Sequence, residues 1–121
     1  MEDTIKHKPT GFDAIFDVSA MRNAAEAASN LMKIMANSDR LLLLCQLSQH
    51  EKSVGELEEL TGIKQPSLSQ QLTVLRESSL VSTRRDGKNI FYSIANSSAM
   101  KVMHVLYQEF CLNNLRDAEL K

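Results

Sequence analysis

Residues 53–77 read SVGELEELTGIKQPSLSQQLTVLRE, and this stretch decides the fold. It begins with a capping box, in which the Ser53 hydroxyl and the Glu56 carboxylate each satisfy a backbone N–H at the start of a helix. Gly62 suits the left-handed residue that ends this helix, and Pro66 suits the first position of the next one. The order of helix, tight glycine turn and helix predicts a helix-turn-helix.

The second predicted helix has two chemically different sides. Leu68, Leu72 and Leu75 are spaced by four and three residues, which predicts one buried side. The opposite side carries hydroxyls and amides, and no acidic group precedes Glu77. Such a side is most often simply solvated, but amides and hydroxyls can also pair with base edges in a DNA major groove. The candidate DNA-contacting residues in and before this helix are Ser53, Lys64, Gln65, Ser67, Ser69, Gln70 and Gln71.

A change of sequence period follows at residues 81–94. Two alternating segments flank Asp86-Gly87, a pattern typical of a β-hairpin closed by a type I′ turn. Arg84, Arg85 and Lys88 would give this hairpin a cationic tip suited to phosphates or to a minor groove. A helix-turn-helix followed by a basic hairpin predicts a winged helix, mainly α with a small β-hairpin, that binds double-stranded DNA.

Composition sets the broad class of the protein. The chain has 121 residues, of which 43% are apolar and 24% charged, as in an ordinary globular domain. No apolar run approaches the roughly 18 residues that cross a bilayer, and no secretory signal is visible, so we expect a cytoplasmic protein with reduced thiols. The net charge of −1 argues against a protein that coats nucleic acid. Residues 63–92, however, carry five basic and two acidic side chains, which permits a local basic surface.

The rest of the chain predicts three more helices. The last of them has two apolar stripes, which implies two packing partners, one of which we expect to be another chain. The first of these helices is predicted to run to about Ala36 after a cap at Ser19, and the second from Asp39 to about Ser48 with Ser38 as the cap. The third is predicted to run to about Arg116 after a cap at Asn96 or Ser97. The predicted organisation is a mobile arm at residues 1–18, a winged-helix DNA-binding and dimerisation domain at 19–117, and a tail at 118–121.

The chain resembles the ArsR-type winged-helix repressors from about residue 24 to residue 111. The resemblance implies a homodimer built from the first and last helices. It also implies two recognition helices in successive major grooves of an inverted-repeat operator, whose occupancy blocks transcription. The stretches that carry it are LMKIMANSDRL at 31–41, SVGEL at 53–57, QPSLSQQL at 65–72, LRESSLV at 75–81 and RRDGK at 84–88.

Metal sensing is common in that family, but the family's ligands are not matched. Where the family has a Cys-x-Cys type of thiol pair, this sequence reads LLLLC and has only Cys45. The last helix offers only His104 and Glu109, which do not follow the family's spacing. Because this set does not reach four ligands, we expect no metal and no cofactor. A metal-responsive repressor stays as an alternative function.

The two cysteines, Cys45 and Cys111, allow two interpretations. Both can be small core residues, since free cysteine is among the most buried residue types. The chain is also similar to the persulfide-responsive, BigR-type branch of the family, which implies a switch in which persulfides, polysulfides or oxidants link the two thiols and release DNA. The sequence carries no motif typical of an enzyme. A protein-docking winged helix with structural cysteines is a further alternative.

Overall fold

The computed structural model describes residues 17–112. The chain divides into two compact units between Lys33 and Ile34. The described residues of the first unit are Asp17 and most of helix α1, Val18–Met35, which begins two residues earlier than predicted. Ser19 is therefore inside the helix and is not its cap, and its hydroxyl donates to the Asp17 carboxylate at 2.8 Å. Apart from residues 17 and 18, the predicted arm lies outside the described residues, as does the predicted tail.

The second unit is a winged helix-turn-helix, mainly helical with a small antiparallel sheet, as predicted. The elements are α2 (Ser38–Leu47), β1 (Lys52–Ser53), α3 (Val54–Thr61), α4 (Ser67–Glu77), β2 (Val81–Asp86), β3 (Asn89–Ile94), α5 (Ser97–Leu106) and a π-helical segment (Tyr107–Leu112). The three strands follow the spatial order β1-β3-β2. Strand β1 was not predicted, because two residues are too few to show a period.

The helix-turn-helix is built as the sequence predicts. The Ser53 backbone N–H donates to Glu56 Oε1 at 2.8 Å, and the Glu56 N–H donates to Ser53 Oγ at 3.2 Å, which confirms the capping box. Gly62 ends α3 in the left-handed conformation with φ 75°. Pro66 is the N-cap of α4, one position before the first helical residue where it was predicted. The local signals therefore place both helices to within one residue.

The other helix ends correct the prediction by small shifts. Asn37, and not Ser38, caps α2, and its side chain accepts the Arg40 N–H at 3.0 Å. Both residue types are good caps, so only the extended backbone at Asn37 decides between them. Asn96, one of the two predicted caps, begins α5. The α-helix ends at Leu106 rather than near Arg116, and the π-helical segment continues to Leu112; Arg116 itself lies outside the described residues.

The core of the second unit joins α2, α3 and α4. Helix α2 contacts both helices of the helix-turn-helix. The predicted leucine stripe of α4 is fully buried, whereas α2 is fully buried only on the side of Leu43, Leu44 and Leu47, and Leu42 is 40% exposed. The fully buried leucines of this core are Leu43, Leu44, Leu47, Leu57, Leu68, Leu72 and Leu75.

The hairpin forms the wing, with a turn one residue later than predicted. Asp86 pairs with Asn89, so the loop is Gly87-Lys88 and not Asp86-Gly87. Within this loop Gly87 has positive φ, 65°, and Lys88 does not. Positive φ at the first loop position alone is the signature of a type II′ turn, in which glycine comes first, whereas type I′ needs positive φ at both positions. The predicted type I′ turn is therefore wrong.

Candidate DNA-binding surface and dithiol site

The polar side of α4 faces outward from the core. Because Leu68, Leu72 and Leu75 turn inward, the residues between them turn away from the body. Ser69 and Gln70 are exposed, and Ser67 and Gln71 are half-buried. This arrangement presents amides and hydroxyls on one helix face, which is the chemistry that reads base edges in a major groove.

The start of α4 has a cap that sequence reasoning missed. Gln65 Oε1 accepts the backbone N–H of Ser69 at 3.1 Å, while Pro66 makes no side-chain cap. Thr73 Oγ1 donates to the Ser69 carbonyl at 2.8 Å. Glutamine is not a usual capping residue, so no pattern in the sequence predicts this contact. Gln65 therefore has a structural role in addition to its predicted role at DNA.

Gln71 is held by an arginine from another helix. Arg40 Nη1 donates to Gln71 Oε1 at 2.9 Å, and Arg40 Nε donates to the Ile34 carbonyl at 2.6 Å. Both side chains are half-buried. Arg40 was not among the predicted site residues, because a contact across 31 positions leaves no local pattern.

The wing distributes its charge unevenly. Arg84 forms an ion pair with Glu51 and lies over the Phe91 ring, with its guanidinium carbon 4.7 Å from the ring centre. The hydrogen bond between Arg84 and Glu51 raises the pKa of Arg84 and lowers the pKa of Glu51. Arg85 and Lys88 are exposed near the tip. Arg84 is thus partly neutralised, and Arg85 and Lys88 are the better placed for phosphate contacts.

The remaining predicted contact residues, Lys64 and Ser53, differ in whether their polar groups are already hydrogen-bonded within the protein. Lys64 is exposed in the turn between α3 and α4. The Ser53 hydroxyl accepts the Glu56 N–H within the capping box, so a phosphate at Ser53 has to share this group. Backbone N–H groups and hydroxyls at helix starts are frequent phosphate partners.

Cys45 and Cys111 line one cavity. Cys45 lies on α2 and Cys111 on the π-helical segment, and both are half-buried free thiols. The cavity has a volume of about 570 Å³, within the usual range for small-molecule sites. Its remaining lining is apolar except for the Ser38 and Tyr107 hydroxyls. The other lining residues are Ser38, Leu41, Leu42, Met103, Leu106, Tyr107 and Phe110.

The two thiols interact. Burial is the main cause that raises the pKa of Cys45, and the charge and hydrogen bond of Cys111 raise it further. Cys45 is therefore held in the protonated form at a pH where an ordinary thiol begins to ionise. The structure brings together the two cysteines that the resemblance implied as partners.

Comparison with known proteins identifies the family to which this chain is similar. The family model described as bacterial regulatory protein, arsR family, matches residues 37–83. The biofilm growth-associated repressor of Agrobacterium fabrum is 45% identical over 109 residues, which cover 90% of this chain and 92% of that protein. The chain belongs to the ArsR family. The biofilm growth-associated repressor of Xylella fastidiosa is 48% identical to this ArsR-family chain over 91 residues, which cover 75% of this chain and 80% of that protein.

Solved structures agree with this family assignment. The crystal structure of the transcriptional repressor BigR from Xylella fastidiosa has a TM-score of 0.73 and 46% identity, over 78% of this chain and 97% of that chain. Reduced HlyU from Vibrio cholerae has a TM-score of 0.75 and 35% identity, over 78% of this chain and 99% of the HlyU chain. The predicted resemblance is confirmed, and this ArsR-family chain is a transcriptional regulator and not an enzyme.

Two further properties concern only residues 17–112. Within this range of the ArsR-family chain, no group of three or more His, Cys, Asp or Glu side chains is arranged to hold a metal ion. None of the helices in the same range is both long and apolar enough to cross a membrane.

Proposed function

We propose that the protein is a homodimeric repressor that binds operator DNA while Cys45 and Cys111 are reduced and releases it when reactive sulfur species link them. The observation that carries this proposal is the shared apolar cavity, in which Cys111 is close enough to shift the pKa of Cys45. The similar proteins that are named repressors support the proposal that DNA binding by this chain represses transcription.

The bridge can form in two balanced steps from a persulfide R–S–S–H. A cysteine thiolate attacks the outer sulfur and displaces R–S⁻, which leaves the cysteine as Cys–S–SH. The other thiolate then attacks the inner sulfur of this persulfide, displaces HS⁻ and completes a disulfide. The two cysteine sulfurs lose two electrons in total, and the transferred sulfur leaves as sulfide. If both cysteines become persulfides, attack of one terminal sulfur on the inner sulfur of the other gives a trisulfide and the same leaving group.

The environment of Cys45 bears on these steps. The thiolate is the nucleophile in thiol exchange, and burial raises the pKa of Cys45, so this thiol must lose its proton before it can attack. A disulfide needs Cα atoms within roughly 7 Å, and each added sulfur extends the span by about 2 Å, so a polysulfide tolerates a wider range of separations.

Exposed apolar side chains supply the surfaces for a homodimer through the first and last helices. In the second unit these side chains lie on α5 and the π-helical segment, where Val105 is 57% and Phe110 65% exposed. In the first unit, α1 exposes Val18, Met21 and Met32. A dimer of this kind presents two recognition helices to successive major grooves, about 34 Å apart. A bridge that ties α2 to the π-helical segment favours a dimer with a different separation, and DNA is released.

DNA release tests this proposal directly. The probe is a duplex selected from a randomised library by the reduced protein, and binding is followed by fluorescence anisotropy before and after glutathione persulfide. We expect the wild type to release the duplex, whereas Cys45→Ser and Cys111→Ser bind it and keep it. Ser38→Ala, which changes the same cavity without touching a thiol, serves as the matched control and releases normally. Full release by Cys111→Ser contradicts the proposed switch.

A further inference from the structure

We propose that Arg40 sets the base preference of the recognition helix by holding Gln71 with its amide NH₂ group toward DNA, so that this position favours guanine over adenine. The proposal rests on DNA binding through α4, which is part of the proposed function, but not on the thiol switch. Arg40 acts through Gln71 and is therefore a positioning residue.

The orientation of the Gln71 amide follows from the chemistry of its partner. Arg40 Nη1 lies 2.9 Å from Gln71 Oε1. A guanidinium has only N–H donors and no acceptor, so only the oxygen of a glutamine can face it favourably. The reversed amide would put NH₂ donors against guanidinium donors. The Arg40 bond thus turns the Gln71 oxygen toward Arg40 and occupies one of its two lone pairs, and the NH₂ group is left for a ligand.

Arg40 is itself fixed from two sides. Its Nε donates to the Ile34 carbonyl at 2.6 Å, and its backbone N–H donates to the Asn37 cap at 3.0 Å. The side chain is half-buried, unlike the exposed Arg85 on the wing. A guanidinium held in this way is suited to fixing a neighbour rather than to reaching a phosphate.

Adenine and guanine pair with different hydrogen-bonding groups of a glutamine amide. Adenine presents an acceptor and a donor in the major groove, and a glutamine pairs with both by using its NH₂ group and its oxygen. Guanine presents two adjacent acceptors, N7 and O6, which match a residue that offers only donors. With its oxygen engaged by Arg40, Gln71 offers donors. Gln70 is exposed beside it and provides a matched comparison on the same helix.

The experiment uses the reduced protein and the duplex that it selects. The base pair read by Gln71 is the one at which Gln71→Ala loses discrimination, and Gln70→Ala identifies its own position in the same way. We expect the wild type to bind the guanine duplex about tenfold more tightly than the adenine duplex at the Gln71 position. Arg40→Met, which keeps an apolar stem and removes the donors, should abolish this preference, with no change in the salt dependence of binding.

The double variant separates positioning from a general structural role. In the Gln71→Ala background, Arg40→Met should leave the guanine-to-adenine ratio unchanged, and Arg40→Lys, which keeps charge and donors, should retain the wild-type preference. An Arg40→Met variant that weakens binding to all four bases by one factor in both backgrounds overturns the proposal. If Arg40→Met does not fold, adenine preference of the wild type at the Gln71 position overturns it.

Failure of the proposed function gives different results. A protein that fails to release DNA on persulfide treatment leaves the base preference as it is, because only the reduced form is used here. A reduced protein that selects no duplex overturns both ideas, and the selection itself shows this before any variant is made.

Discussion

The helix-turn-helix and the cysteine cavity differ in how completely the chain packs them. In the helix-turn-helix, the three leucines of α4 are buried against the body, and Leu72 is 1% exposed. At the cavity, Leu42 is 40% and Phe110 65% exposed, and the thiols are half-buried. Helix α4 is thus packed by the chain's own core, whereas the cavity leaves apolar surface open, as the proposed sensing site and dimer surface require.

The largest expected effect tests this difference in packing. Leu72→Ala should lower the free energy of unfolding by about 2 to 5 kcal/mol, because a fully buried leucine leaves a cavity when it is truncated. Leu42→Ala, the matched change at the open cavity, should cost less than about 1 kcal/mol in the isolated chain. Urea denaturation at a protein concentration below that of dimer formation measures both. Equal losses would show that the two regions are packed alike.

A charged substitution on the exposed side of α5 tests the proposed homodimer. Val105→Glu places a carboxylate on the exposed side of α5 and should shift sedimentation toward the monomer. Because a monomer engages one half-site, its affinity for the selected duplex should fall by about 100-fold or more. Leu60→Glu on α3, where the leucine is 54% exposed and lies outside the proposed dimer surface, is the control and should remain dimeric. A monomeric wild type that binds the duplex with full affinity contradicts the dimer.

The wing provides a smaller effect on DNA binding. Arg85→Ala should weaken binding to every sequence similarly and reduce the salt slope by about 1, as expected for one lost phosphate contact. Arg84→Ala should reduce the slope less, because Arg84 is already paired with Glu51. Affinities at several salt concentrations give both slopes. A larger change for Arg84→Ala would mean that its ion pair opens on DNA.

The smallest effect concerns the ionisation of Cys45. Cys111→Ala removes the charge and the hydrogen bond that raise the pKa of Cys45, while burial, the main cause, stays. The pKa of Cys45 should therefore fall but remain above that of an ordinary thiol. Alkylation of Cys45 by iodoacetamide, followed by peptide mass spectrometry, should then begin at a lower pH than in the wild type. An unchanged or higher onset would mean that the thiols do not interact.

What the sequence could predict depends on the distance over which each signal acts. The Ser53 capping box, Gly62 and the α4 leucine stripe are local patterns, and each was confirmed. The hairpin was correct in kind but its turn was displaced by one residue, because glycine suits either loop position. Strand β1 is two residues long and has no pattern of its own.

The site was less predictable than the fold because its contacts join distant positions. Arg40 meets Gln71 across 31 residues, and Arg84 meets Glu51 across 33. Neither contact follows from periodicity or composition, although each changes which groups are free to touch DNA. That Cys45 and Cys111 line one cavity was likewise not derivable from spacing, and the resemblance to a known family supplied the expectation.

The central claim is that the two thiols of one chain are joined by sulfur, and intact mass spectrometry tests it most directly. The reduced protein is treated with glutathione persulfide and measured before and after dithiothreitol. We predict a single chain that has lost two hydrogen atoms, with or without whole added sulfur atoms, in which proteolysis finds Cys45 and Cys111 joined and dithiothreitol restores the starting mass. Separate persulfides on unlinked cysteines, or bridges only between two chains, would contradict the account.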